Sequence, residues 1–152
     1  MIRNALLLVS TALLAGLGLV HQQGQPADTK AEIEAVKQAC QDYVEGVYEV
    51  KPELIERGVH KELVKFGYYR RDGQDYHGTA MTFDQLHELA GRWNKDGSRA
   101  NDSSPREITV FDVLDKTASA KLVAEWGVDY FHLVKEDGQW KIRQVLWQSP
   151  PE

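Results

Sequence analysis

A single cysteine, Cys40, stands in the whole chain, so no intramolecular disulfide can form and the fold must rest on a core. No basic cluster exceeds the pair Arg70-Arg71, and the formal net charge is -5. A net-acidic chain without a basic stripe lacks the phosphate contacts that dominate nucleic-acid affinity, so no nucleic-acid partner is expected. Metal-site spacing is missing too. His87-Glu88-Leu89-Ala90-Gly91 opens like the zinc helix HExxH, but Gly91 stands where the second imidazole is needed, so no metal and no other cofactor is expected. There is no nucleophile elbow GxSxG, and no internal repeat that would build a solenoid.

One long apolar run is present, Ala5 to Val20, ALLLVSTALLAGLGLV, just after Arg3. A charged start and an apolar centre are the parts of a secretory signal peptide. The run falls slightly short of the about 20 apolar residues of a spanning helix. No cysteine follows Leu13-Leu14-Ala15-Gly16, so the usual lipoprotein attachment point is lacking. We therefore expect a signal peptide over 1–20, a flexible leader over 21–29 (HQQGQPADT) and one domain over 30–149, exported to the periplasm or secreted. A domain of that size buries about two-thirds of its unfolded surface and needs no staples.

Within the domain, helices come first. Thr29 and Glu32 have capping-box spacing, and Ile33, Val36, Cys40, Tyr43, Val44 and Val47 recur at helical steps on one face. Cys40 reads as a small buried residue of that face. Pro52 restarts the chain for a short second helix that ends near Gly58. Leu63 to Tyr69 and Tyr76 to Met81 read as strands flanking the turn at Gly73. Thr82 and Gln85 form a second capping box, followed by the stripe Leu86, Leu89, Ala90 and Trp93 of a third helix. After Pro105 the periodicity changes to two: a strand over Ile108–Leu114, a long one over Ala118–Val134, and a return strand over Trp140–Gln148. Asp137-Gly138 is the hairpin signal between the last two. Helices followed by an antiparallel meander give an α+β fold, three helices packed on one face of a strongly curved, mainly antiparallel sheet, with a conical interior suited to a small ligand.

The run VFDVLDKTASAKLVAEWGVDYFHLVKEDGQWKIRQVLWQS, with YVEGVYEVKPELIERGVHKELVK and MTFDQLHELAGRWN upstream, resembles the bacterial "putative lumazine-binding" branch of the nuclear transport factor 2-like superfamily. The resemblance covers Ala31 to Ser149. It implies a cone-shaped, commonly dimeric fold but no particular activity, because that superfamily holds dehydratases, isomerases, cyclases and non-catalytic binders.

The chemistry-bearing stretch is EWGVDYFH, Glu125 to His132. Straight alternation along the expected long strand puts Trp126, Tyr130 and His132 towards the helices and Asp129 away from them. A bulge at Gly127 would reverse one half and bring Asp129 inside. An inward Asp129 would be a candidate general base beside Tyr130 or His132. Asp112 is a further candidate because it alternates with Ile108, Val110 and Leu114. Three functions compete. The first is a binder of a small apolar or aromatic molecule, with Tyr43, Trp93, Trp126, Tyr130 and His132 lining the cone. The second is an acid/base enzyme of the dehydratase, isomerase or cyclase type using Asp129, Tyr130, His132 or Asp112. The third is a non-catalytic homodimeric interaction module that uses the sheet face near Trp147. Binding is the favoured reading over catalysis.

Overall fold

The computed structural model describes residues 29–71 and 73–151. The expected signal peptide and the leader up to residue 28 lie outside them. Helix α1 (Thr29–Tyr48) buries Val36, Ala39, Cys40, Tyr43, Val44 and Val47, the face that the sequence spacing marks out. Proline opens α2 (Pro52–Gly58) at its first turn. Asp42, buried on α1, receives both arms of the Arg57 fork at 2.6 Å, which fixes α2 against α1.

Strand β1 (Val59–Tyr69) pairs antiparallel with β2 (His77–Met81). The capping box then starts α3 (Phe83–Ala90): Thr82 Oγ1 accepts from the Gln85 backbone, and the Gln85 side chain accepts from the Thr82 backbone. Strands β3 (Glu107–Val113), β4 (Thr117–Ala124), β5 (Gly127–Glu136) and β6 (Gln139–Gln148) complete a six-stranded sheet of order β2-β1-β6-β5-β4-β3. Among the described strands only the β1–β6 pair is parallel. The β5–β6 turn is at Asp137-Gly138, with φ of 48° and 79°, the left-handed pair that a tight hairpin needs. The helices cover one face of the sheet, with α1 packed on β3, β4 and β6 and α3 on β1.

Three expectations are corrected here. The run Ala118–Val134 is not one strand. It folds back at Glu125-Trp126 as the β4–β5 hairpin, pairing Ala124 with Gly127 and Leu122 with Asp129. That reversal puts Asp129, Phe131 and Leu133 on the buried face with Ala120 and Leu122, and Tyr130 and His132 on the opposite face. Asp112 does not share the face of Ile108 and Val110, because the β3–β4 register shifts between Val110 and Asp112 and turns Asp112 to solvent. Trp147 does not lie on the outer sheet surface. A register shift at Arg143 brings Val145 and Trp147 to the helix side, leaving Gln144, Leu146 and Gln148 outside.

Candidate functional site

The residues of the site come from every layer of the fold. Helix α1 presents Tyr43 and Val47, α3 presents Leu86 and Leu89, and Met81 ends β2 between them. Lys65 of β1 and Trp147 of β6 form the floor. Trp93, Arg99 and the turn residue Trp126 close the remaining side. Together they line a half-open cavity of about 230 Å³, apolar over most of its wall.

Two local devices hold the aromatic side of this cavity. Asn94, buried in the loop after α3, donates to the carbonyls of Tyr48 and Ala100 at 2.7 and 2.9 Å. Its oxygen accepts from the backbone of Arg99 and Ala100, so one side chain sets the positions of Trp93 and Arg99 on either side of it. The Tyr48 hydroxyl accepts from the Glu125 backbone at 2.6 Å and donates to the Pro105 carbonyl at 2.9 Å, tying the β4–β5 turn to α1. Tyr48 stacks on Trp93, and Trp126 meets both of them edge-on.

Beside this cage lies a buried polar cluster. Asp129 is 0% exposed and Lys65 6%. Lys65 Nζ lies 3.2 Å from Asp129 Oδ1 and also donates to the Tyr43 hydroxyl. Tyr43 donates to the same carboxylate oxygen at 3.3 Å, and Trp126 Nε1 donates to Asp129 Oδ2 at 2.5 Å. Burial first, then the Asp129 charge, push the Tyr43 phenol well above its ordinary value, so it stays a donor. Three donors thus cover one carboxylate, which is what an apolar interior demands of a buried charge. Asp129 is not on the cavity wall; it stands behind Tyr43, Lys65 and Trp126, which are.

The sequence candidates separate accordingly. Tyr43, Trp93 and Trp126 line the cavity. Tyr130 is 50% exposed and His132 is also exposed, both on the far face, where His132 Nδ1 lies 3.0 Å from Gln144 Oε1. Neither is among the hydrogen-bonding partners of Asp129, so the expected Asp129–Tyr130–His132 grouping does not form. Asp112 stands with Ser119 and His132 along a shallow groove of that far face. The residues missed by sequence reasoning are Lys65, Trp147 and Arg99. Lys65 alternates with Val64, Phe66 and Tyr68, so the apolar pattern of β1 assigns it to solvent; its true signal lies in the partner carboxylate at Asp129. Among the described residues no group of His, Cys, Asp and Glu is placed to hold a metal ion, and no helix is long and apolar enough to cross a membrane.

Comparison with known proteins places these observations. Residues 31–148 match the family described as "Putative lumazine-binding". No functionally described relative matches the sequence. Among solved structures, a nuclear transport factor 2-like protein of unknown function from Silicibacter pomeroyi DSS-3 is 15% identical at a TM-score of 0.62, covering 82% of this chain and 100% of that one. One from Methylobacillus flagellatus KT is 20% identical at a TM-score of 0.62, covering 81% and 95%. A protein described as "Putative Scytalone Dehydratase" from Novosphingobium aromaticivorans DSM 12444 is 15% identical at 0.53, covering 80% and 85%. At these identities the likeness is one of fold: the α+β cone.

Proposed function

Since the chain belongs to the family described as "Putative lumazine-binding", with a nuclear transport factor 2-like fold, we propose that it binds a small aromatic molecule in the cavity between α1, α3 and the sheet. The observation that carries this reading is the cavity itself, about 230 Å³ with Trp93, Trp126 and Trp147 on its wall. Flat indole surfaces around an apolar space suit a planar ring, which gains both area burial and aromatic contact there. Tryptophan fluorescence reads occupancy directly, because three of the four tryptophans of the chain line the site. Titration with lumazine, chosen for the family's description, and with naphthalene is expected to quench saturably. Emission unchanged by both up to their solubility limits would overturn the reading.

An acid/base enzyme is the second reading, favoured by one observation: the Tyr43 hydroxyl and the Lys65 amine belong to groups on the wall of the cavity. Asp129 is occupied by three donors, so proton transfer would fall to Tyr43 and Lys65. Exchange of a cyclic ketone's α-protons with D₂O, followed by NMR, should then be lost in Tyr43→Phe; no exchange above the buffer rate argues for the binder alone.

Two wider parts of the reading rest on separate supports. Export is supported by the apolar segment Ala5–Val20 after Arg3. N-terminal sequencing of protein recovered from its host's envelope is expected to begin between Val20 and Lys30, and a retained Met1 would contradict it. A homodimer is supported by the outer sheet face, where Phe66, Leu146 and Tyr130 are exposed and lie side by side in register. Its contact would centre on Leu146 rather than on Trp147.

A further inference from the structure

The Lys65–Asp129 pair asks why it is there at all. A buried ion pair is weak evidence of stability, since apolar residues of similar volume commonly hold a core as well or better. Here its two members are placed asymmetrically. The cation belongs to the cavity wall, whereas the carboxylate is behind it and covered by Tyr43, Lys65 and Trp126. An ammonium has three N–H donors. Two of Lys65's have acceptors, the Tyr43 hydroxyl and Asp129 Oδ1, and the third has none among the described residues. Lys65 Nζ also sits 5.2 Å from the Tyr43 ring centre and 5.3 Å from that of Trp147, so rings and carboxylate together fix where its charge points. A second cation, Arg99, stands on the same wall with its guanidinium 5.5 Å from the Trp93 ring centre. Among the described residues no carboxylate lines the cavity.

From this we infer that the ligand is an aromatic oxyanion, a planar ring bearing a carboxylate or phenolate oxygen that accepts the unused N–H of Lys65. The inference rests on the cavity being a binding site and specifies what it selects. Asp129 is a positioning residue that holds the ammonium against the wall and does not reach the ligand itself, while Tyr43 shares in that hold and adds its ring to the wall. The rings supply contact area for any planar compound, and Lys65 supplies the preference for a charged oxygen at its edge.

Three probes of one ring system separate these contributions: naphthalene, methyl 2-naphthoate and 2-naphthoate. In the wild-type protein, fluorescence titration is expected to give 2-naphthoate an affinity about tenfold or more above naphthalene, the size of a hydrogen bond to a charged group. The neutral ester should fall between them. Removing Lys65 alone would strand Asp129, so the test uses Lys65→Met with Asp129→Asn, its fold checked by circular dichroism. In that variant naphthalene serves as the internal reference, and the advantage of 2-naphthoate over it should disappear. An unchanged advantage would overturn the role of Lys65 and leave the cavity reading standing. Equal wild-type affinity for ester and carboxylate would overturn the preference for an anion. Binding of none of the three would overturn the cavity reading, and this one with it.

Discussion

Asp129 carries more of the site's geometry than any other side chain, because three wall residues take their orientation from its two oxygens. Removing one member of a buried ion pair costs about 3–5 kcal/mol, whereas removing both is often close to neutral. Asp129→Ala is therefore expected to lower the unfolding free energy by about 3–5 kcal/mol in urea denaturation. Lys65→Met combined with Asp129→Asn should stay within about 1 kcal/mol of wild type, because the amide oxygen can accept from Trp126 Nε1 while the amide NH2 donates to the Tyr43 hydroxyl that Lys65 no longer fills. Equal losses in the two variants would show that the pair does not act as a unit. Cys40 lies in the same core and is fully buried. Burial, with a further push from the Asp129 charge, raises its thiol to about 12, so hardly any thiolate exists at neutral pH. Iodoacetamide should leave Cys40 unmodified in the native protein and alkylate it in urea, as read by mass spectrometry. Rapid native modification would mean that the α1 face opens.

At the scale of elements, the β4–β5 hairpin decides what the site contains. Gly127 has a φ of 129°, and a Cβ there would run into the carbonyl oxygen of Gln148 on β6. Gly127→Ala is expected to destabilise by about 2 kcal/mol or more and to weaken probe quenching, since the turn carries Trp126. A variant with wild-type stability would show that the turn relaxes freely. The N-terminal turn of α1 makes a separate contact with the last hairpin: Glu32 accepts from Lys135 Nζ at 2.6 Å and from Trp140 Nε1 at 2.7 Å. Those hydrogen bonds, with the Lys135 charge, hold its carboxyl below the usual range. Its contribution is thus present above the unfolded carboxylate pKa and lost as pH falls through the lower folded value. Glu32→Gln should flatten the acid limb of the stability profile; an unaltered limb would place the acid sensitivity elsewhere. Much of this layer was legible in the sequence: the Thr82 capping box, the Asp137-Gly138 turn and the buried face of α1 all rest on local signals. The inside of the sheet was not. A single strand from Ala118 to Val134 is far beyond the usual length, and that was the available warning of a turn at Glu125-Trp126. In β1 the pattern runs backwards, with Lys65 inside and Phe66 outside, because a charge paired across the sheet by Asp129 overrides local polarity. Alternation tells which residues share a face; it cannot tell which face is buried when both carry apolar side chains.

The inverted strand has a counterpart at the scale of the whole molecule. Val64, Phe66 and Tyr68 of β1 and Leu146 of β6 are exposed on the face opposite the three described helices, with Tyr130 of β5 next to Leu146. Phe66, Leu146 and Tyr130 occupy one register row across three adjacent strands, so the exposed apolar surface is continuous rather than scattered. Continuous apolar surface of this kind is costly for a monomer and is a mark of association. A second copy is the simplest cover, since a twofold axis through such a row places the same patch on both sides. Polar groups flank the row: His132 and Gln144 are on the next register position, and Lys121 lies opposite Tyr130 on β4. A charge placed at the middle of the row would be buried without a partner on both sides of the axis at once. Leu146→Glu is therefore expected to convert a dimer to a monomer in analytical ultracentrifugation, with little change in the cavity, because Leu146 points away from Trp147 and the ligand site. Probe quenching should survive the substitution, which separates assembly from binding. A wild-type protein that sediments as a monomer at high concentration would remove the dimer and leave the cavity on its own.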